Sequence, residues 1–175
     1  QKESCGQCPL CRLGTQQMLE ILTDITRGKG KPGDIELLTE IAESVKNGSL
    51  CALGGTAPNP VLTTLRYFRQ EYVDHIENKK CAALACRELI KFYILPEKCQ
   101  GCGKCRKECP VEAITGDKKM VHIIDQEKCT KCGTCIDACP KKFNSIVKVS
   151  GEEIEVPTEP IPIIPRAKKK APATA

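Results

Sequence analysis

Apolar residues recur at helical spacing through the first third of the chain. Leu10, Leu13, Met18, Leu22 and Ile25 form one stripe, and Pro9 suits a first helical turn, so a helix is expected to begin near residue 9. Ile35, Leu38, Ile41, Ala42 and Val45 form a second stripe, with Asp34 as its cap and Asn47-Gly48 as its end. A third stripe, Val61, Leu62, Leu65, Phe68, Tyr72 and Ile76, follows Asn59-Pro60. These stripes read as core, and three such helices pack most simply as a small bundle. Leu89, Ile90 and Phe92 then suggest a short helix running into Ile94-Leu95-Pro96.

Beyond residue 96 the pattern changes. Ala113-Ile114-Thr115, Met120 to Ile124 and Ile146 to Val149 are short apolar runs that read as strands. Residues 151–175 alternate proline with a few isoleucines and end in a basic stretch, an extended segment with too little apolar surface to fold alone. The expected class is α+β. A helical domain over 1–80 is followed by a linker over 81–95, a compact repeat over 96–150 and a tail over 151–175. Ile161, Ile163 and Ile164 either dock on a partner subunit or belong to a plain tail.

The repeat is defined by its cysteines. Cys99, Cys102, Cys105, Cys109 and Pro110, then Cys129, Cys132, Cys135, Cys139 and Pro140, form two runs of C-x2-C-x2-C-x3-C-P. In such runs three close thiolates wrap one 4Fe–4S cube, and the fourth reaches the other cube. One cluster is therefore assigned to Cys99, Cys102, Cys105 and Cys139, and the other to Cys109, Cys129, Cys132 and Cys135. Zinc would favour pairs of cysteines over triplets closed by Cys-Pro. Each half supplies a triplet, a short helix through the fourth cysteine and a strand, and the whole resembles a bacterial two-cluster ferredoxin. Lys141-Lys142-Phe143 stands where that pattern usually shows Ala-Ile, which leaves the ligands intact. His122 reads as an exposed strand residue rather than a ligand.

Composition and charge narrow the picture further. Fourteen cysteines with no preceding signal peptide point to metal ligation in a reducing, cytoplasmic setting rather than to a disulfide framework. No apolar run approaches the ~20 residues that cross a bilayer, so membrane insertion is not expected. The formal net charge is +5. Three oxidised cubes at about −2 each would bring the loaded chain to about −1, and no basic stripe interleaved with aromatics is present, so nucleic acid is not an expected partner. Gly28-Lys29-Gly30-Lys31-Pro32-Gly33 matches G-x-G-x-x-G, but no strand precedes it, and it reads as a helix–helix turn.

Cys5, Cys8 and Cys11 repeat the triplet spacing without a nearby fourth cysteine. Cys51 lies among glycines that let the backbone approach a bulky group, and it is the natural fourth ligand; a buried, unligated thiol is the alternative. Here the stretches ESCGQCPLCRLGTQQMLEIL, GKGKPGDIELL and SLCALGGTAPNPVLTTLRYFRQEYVDHI closely resemble the C-terminal cluster domain of NADH-dehydrogenase flavoprotein subunits, over residues 3–76. That resemblance implies a preceding domain of the same polypeptide holding FMN and NAD(H). No such domain is present here, so the chain is expected to be a piece of a longer polypeptide.

Two cysteines remain. His75, Cys81 and Cys86 allow three readings: a structural zinc with a fourth ligand from elsewhere, inert thiols beside a solvated histidine, or a disulfide or further redox centre. On a regular helix Cys81 and Cys86 would stand about 140° apart, so they share a metal only if Cys81 lies at or before a helix start.

A ferredoxin fused behind the helical cluster domain resembles the flavoprotein subunit of soluble, multimeric FeFe-hydrogenases linked to NADH, some of which bifurcate electrons to ferredoxin. The resemblance implies an electron relay working with a hydrogenase catalytic subunit and a small 2Fe–2S thioredoxin-like subunit, with no catalytic residue in this segment. An NAD(P)-linked formate dehydrogenase is the nearest alternative. A non-catalytic ferredoxin-like carrier or docking module is another.

Overall fold

The computed structural model describes residues 1–163. The chain divides into two compact units, Gln1–Ile90 and the remainder from Lys91. Among the described residues the architecture mixes helices with two small two-stranded sheets.

In the first unit α1 (Pro9–Thr26), α2 (Asp34–Gly48) and α4 (Asn59–Ile76) carry the expected stripes, and a short α3 (Ala52–Thr56) precedes α4. Met18, Ile25, Ile35, Leu38, Ala42, Val45, Leu65 and Ile76 form one buried cluster, with Leu22, Ile41, Val61, Leu62 and Tyr72 packed around it. The crossing of α1 and α2 is close because Gly14 has no side chain. A Cβ there would lie 2.2 Å from Val45 Cγ2. Gly28 to Gly33 is indeed the turn between two helices. Asp34 is the first residue of α2 rather than its cap: Gly33 precedes it at φ 93°, and the Asp34 carboxylate accepts the Lys31 N–H at 2.8 Å.

Three stripe residues are not core. Leu10 and Leu13 are exposed because the buried side of α1 begins only at Cys11 and Gly14. Phe68 is 55% exposed because α4 breaks there, at φ −126° and ψ 29°, which turns that position off the stripe.

The short helix expected at residues 89–92 does not form. Residues 90–94 form a strand, β1 (Ile90–Ile94), not a helix; only Arg87–Leu89 makes a 3-10 turn. The run Ile-Lys-Phe-Tyr-Ile is β-branched and aromatic, and β1 pairs with β4 (Ile146–Ser150). β2 (Ile114–Thr115) pairs antiparallel with β3 (Ile123–Ile124), Ile114 opposite Ile124. The short helices α5 (Lys104–Lys107) and α6 (Thr134–Ala138) each end before the fourth cysteine of their run. Gln126 ties the strands together by donating from Nε2 to the carbonyls of Phe92 and Ile124.

The proline-rich segment lies on its own unit as far as it is described. Val121 N–H donates to Ile161 O at 2.7 Å and Ile163 N–H to Lys119 O at 3.2 Å, with Met120 and Pro162 in an antiparallel bridge. Ile164, and the remainder of the expected tail, lie outside the described residues. No helix among the described residues is long and apolar enough to cross a membrane.

Candidate iron–sulfur and metal sites

Cys8 is the N-cap of α1, and Cys11 is buried in its first turn, with Ser4 Oγ 3.4 Å from its sulfur. Cys5 is exposed. Cys51 caps α3, where the backbone N–H groups of Gly54, then Leu53, pull its thiol below the ordinary cysteine range. Gly54 makes this corner possible: a Cβ there would sit 2.3 Å from Ser49 Cβ and 3.4 Å from Cys11 Cβ. The absence of a side chain seats the Cys51 turn against the cysteine at the start of α1.

In the second unit Cys109, Cys129, Cys132 and Cys135 line one small cavity with Phe92, Ile114 and Ile124. Burial, followed by the negative charges of Cys129 and Cys132, pushes the Cys135 thiol up to about 11. Burial likewise leads for Cys105, up to about 12, with Cys99, Cys102 and Cys135 adding negative charge around it. These sulfurs are close enough to oppose one another's ionisation, the condition a polynuclear cationic core relieves. The Ala113 N–H donates to Cys109 Sγ at 3.3 Å. Thr134 Oγ1 lies 3.3 Å from Cys132 Sγ, and Ser145 Oγ lies 3.3 Å from Cys139 Sγ. Cys139, at the end of α6, is extended at φ −71° and ψ 123°.

The loop of the other triplet is fitted to its surroundings by Gly101, at φ 59°. A Cβ there would lie 2.7 Å from Lys119 Cα and from Met120 N and O. Sequence reading missed the hydroxyls at Ser4, Thr134 and Ser145. Only their nearness to cysteines in the chain hinted at them. It also misplaced His122, which is 1% exposed rather than a surface residue.

His75, Cys81 and Cys86 come together. One ligand atom from each lies within 4.8 Å of the others, and His75 Nε2 is 3.4 Å from Cys86 Sγ. The segment between the two cysteines is not helical: it turns through Leu84 at φ 52°, which brings both sulfurs to one side. His75 Nδ1 is 2.6 Å from the Glu71 carbonyl. Donating there leaves Nε2 as the ring's free lone pair, the form that binds metals. Burial resists ionisation of Cys81. The backbone N–H groups of Cys86 and Ala85, then the Cys86 side chain, outweigh it, and its thiol falls to about 7. Cys86 is raised to about 11 by burial and by Cys81. Cys81 thus opposes the ionisation of Cys86, and a cation between them would favour two thiolates. No disulfide joins any of the fourteen cysteines, all of which lie among the described residues.

Comparisons with known proteins match two segments of the chain. Residues 1–75 match the model of the NADH-ubiquinone oxidoreductase-F iron-sulfur binding region, and residues 92–148 match that of the 4Fe-4S dicluster domain. HndC, which belongs to an NADP-reducing hydrogenase of Solidesulfovibrio fructosivorans, is 48% identical over 120 residues, 69% of this chain and 24% of HndC. The F component of the NADH-quinone oxidoreductase of Streptomyces coelicolor is 44% identical over 79 residues, 45% of this chain and 18% of that protein. The beta component of an NADP(+)-dependent formate dehydrogenase of Moorella thermoacetica is 40% identical over 78 residues, 45% of this chain and 11% of that protein. The chain thus spans about a quarter or less of the length of these relatives. It joins an iron–sulfur binding region of the NADH-ubiquinone oxidoreductase-F type to a 4Fe-4S dicluster domain.

Proposed function

We propose that this chain is the electron-relay portion of an NADH- or NADP-linked multi-subunit oxidoreductase, in the first place a hydrogenase. The cavity shared by Cys109, Cys129, Cys132 and Cys135 carries this reading, because it gathers the first three cysteines of one run with the fourth of the other. In the same reading Cys99, Cys102, Cys105 and Cys139 hold a second 4Fe–4S cluster, and Cys5, Cys8, Cys11 and Cys51 hold a third. A bound 4Fe–4S cluster supplies reversible one-electron storage. The chain's own residues ligate the clusters, exclude water from the buried sulfurs and donate to them from the Ala113 N–H and the hydroxyls of Ser4, Thr134 and Ser145. No residue here is proposed to make or break a substrate bond.

The relay would connect FMN and NAD(H), held by a preceding domain, with a hydrogenase catalytic subunit, a small 2Fe–2S thioredoxin-like subunit and ferredoxin. Residues 1–80 are the helical cluster domain of this reading, 96–150 the two-cluster ferredoxin domain, and 81–95 the link. His75, Cys81 and Cys86 are proposed to hold a structural zinc there, completed by a ligand from outside the triad.

Anaerobically prepared protein is expected to contain about twelve irons and about one zinc per chain. Cys51→Ala should lose about four irons while leaving the ferredoxin pair. Unchanged iron would reject Cys51 as a ligand, and zinc-free protein of normal stability would reject the His75 site. A full-length polypeptide whose clusters stay oxidised in the presence of NADH would overturn the relay itself.

A further inference from the structure

His122 sits in a slot shaped for its ring. A Cβ on Gly116, itself at φ 130°, would lie 3.2 Å from His122 Cγ and Cδ2, so glycine is needed opposite the imidazole. Across the ring, Nε2 faces the turn between Cys102 and Cys105, 3.9 Å from where a Cβ of Gly103 would be. The side chain also borders the cleft that holds Cys102, Arg106 and Cys109. It is 1% exposed, and Nδ1 has no hydrogen-bond partner among the described residues. Burying an imidazole with an unsatisfied nitrogen costs free energy that an apolar side chain of similar volume would not incur. Packing alone therefore does not account for histidine here.

We infer that His122 is a positioning residue for the cluster assigned to Cys99, Cys102, Cys105 and Cys139, donating an imidazole N–H toward its sulfur and raising its reduction potential. Hydrogen bonds to sulfur stabilise the more negative, reduced state, and they act most strongly where water is excluded. Burial, then the positive charge of Arg106, push the ring's pKa down, against Met120 and Asp117. An imidazole carries an N–H to give whether neutral or protonated. The inference rests on the ligand assignment proposed above.

The test is an electron-paramagnetic-resonance redox titration of the iron-loaded chain. His122→Phe, which fills the slot without a donor, is expected to make reduction of one ferredoxin cluster about tenfold less favourable. For one electron that is a shift of about −59 mV. His122→Gln, which keeps an N–H, should shift it by less, and the other two clusters should not move. Full iron with an unshifted potential in His122→Phe would overturn the inference, as would equal shifts in both variants. An unmodified chain without that cluster would instead sink the ligand assignment.

Should His122→Phe fail to load, the unmodified chain decides. It contains only two histidines, so 15N-histidine labelling with His75→Gln leaves a single labelled ring. A 15N coupling at the reduced ferredoxin clusters is expected, and its absence would overturn the inference.

Discussion

The two units differ in how far their interiors depend on cysteine. In the first, eight apolar side chains from three helices form a core of their own, and three of the four assigned cluster ligands, Cys5, Cys8 and Cys51, lie outside the buried set. In the second, the strands are two to five residues long, and Cys99, Cys105 and Cys135 belong to the buried set beside Ile114, Val121 and Ile124. The helices offer their cysteines from a scaffold that closes without them, whereas the ferredoxin unit closes around its sulfurs. Small units with thin apolar interiors fold when something else ties them, and in the second unit the proposed clusters would be that tie.

Removing the metal is the strongest way to break this comparison. Anaerobic chelation is expected to unfold the second unit and to leave the helices of the first. By hydrogen exchange, the amides of Leu38, Ala42 and Val45 should stay protected while those of Ile114 and Ile124 exchange as in an open chain. Equal loss in both units would show that the first also depends on its cluster.

The next effects probe the core that the first unit owns. Leu38 is fully buried, and Leu38→Ala should cost about 2–5 kcal/mol in denaturant unfolding of the helices without altering the spectra of the ferredoxin pair. Gly14→Ala places a methyl 2.2 Å from Val45 Cγ2, an overpacking expected to cost about 1–3 kcal/mol. Val45→Ala in the same chain should recover part of that loss. Additive losses would mean that the two residues do not meet.

Much of this was legible in the chain. Cysteine spacing marked the two runs because the ligand geometry of a cube repeats in sequence, and periodicity placed α1, α2 and α4 because one buried face dictates it. What stayed hidden depends on contacts between distant residues. The run at 90–94 is a strand because β4, over fifty residues later, lies beside it. Phe68 leaves its stripe through a backbone break that periodicity cannot announce. The turn from Cys81 to Cys86 was likewise invisible, since Leu84 adopts a left-handed backbone with no glycine to signal it. His122 was misread because Gly116, whose missing side chain makes room for the ring, is informative only once it is known to face it.

The smallest expected effect concerns the surface of the scaffold. Glu36 meets Arg69 at 2.6 Å with both side chains largely exposed, so the pair should add little stability. The Glu36 pKa lies below the ordinary 4.5, first through its backbone N–H and then through Arg69. A carboxyl lowered in the folded state stabilises it above the unfolded pKa, and that contribution is lost as pH falls through the folded value. The loss therefore belongs below about pH 4.5, and Glu36 should contribute no change between pH 6 and 8. Carboxyl NMR of the metal-free chain, whose first unit is expected to stay folded, should place the Glu36 midpoint below 4.5. Arg69→Gln should raise it only part of the way, because the larger cause is the backbone N–H at the start of α2. A full return to 4.5 would mean that the cross-helix pair, not the helix terminus, holds the carboxylate. The scaffold would then depend on its surface charges more than its core suggests.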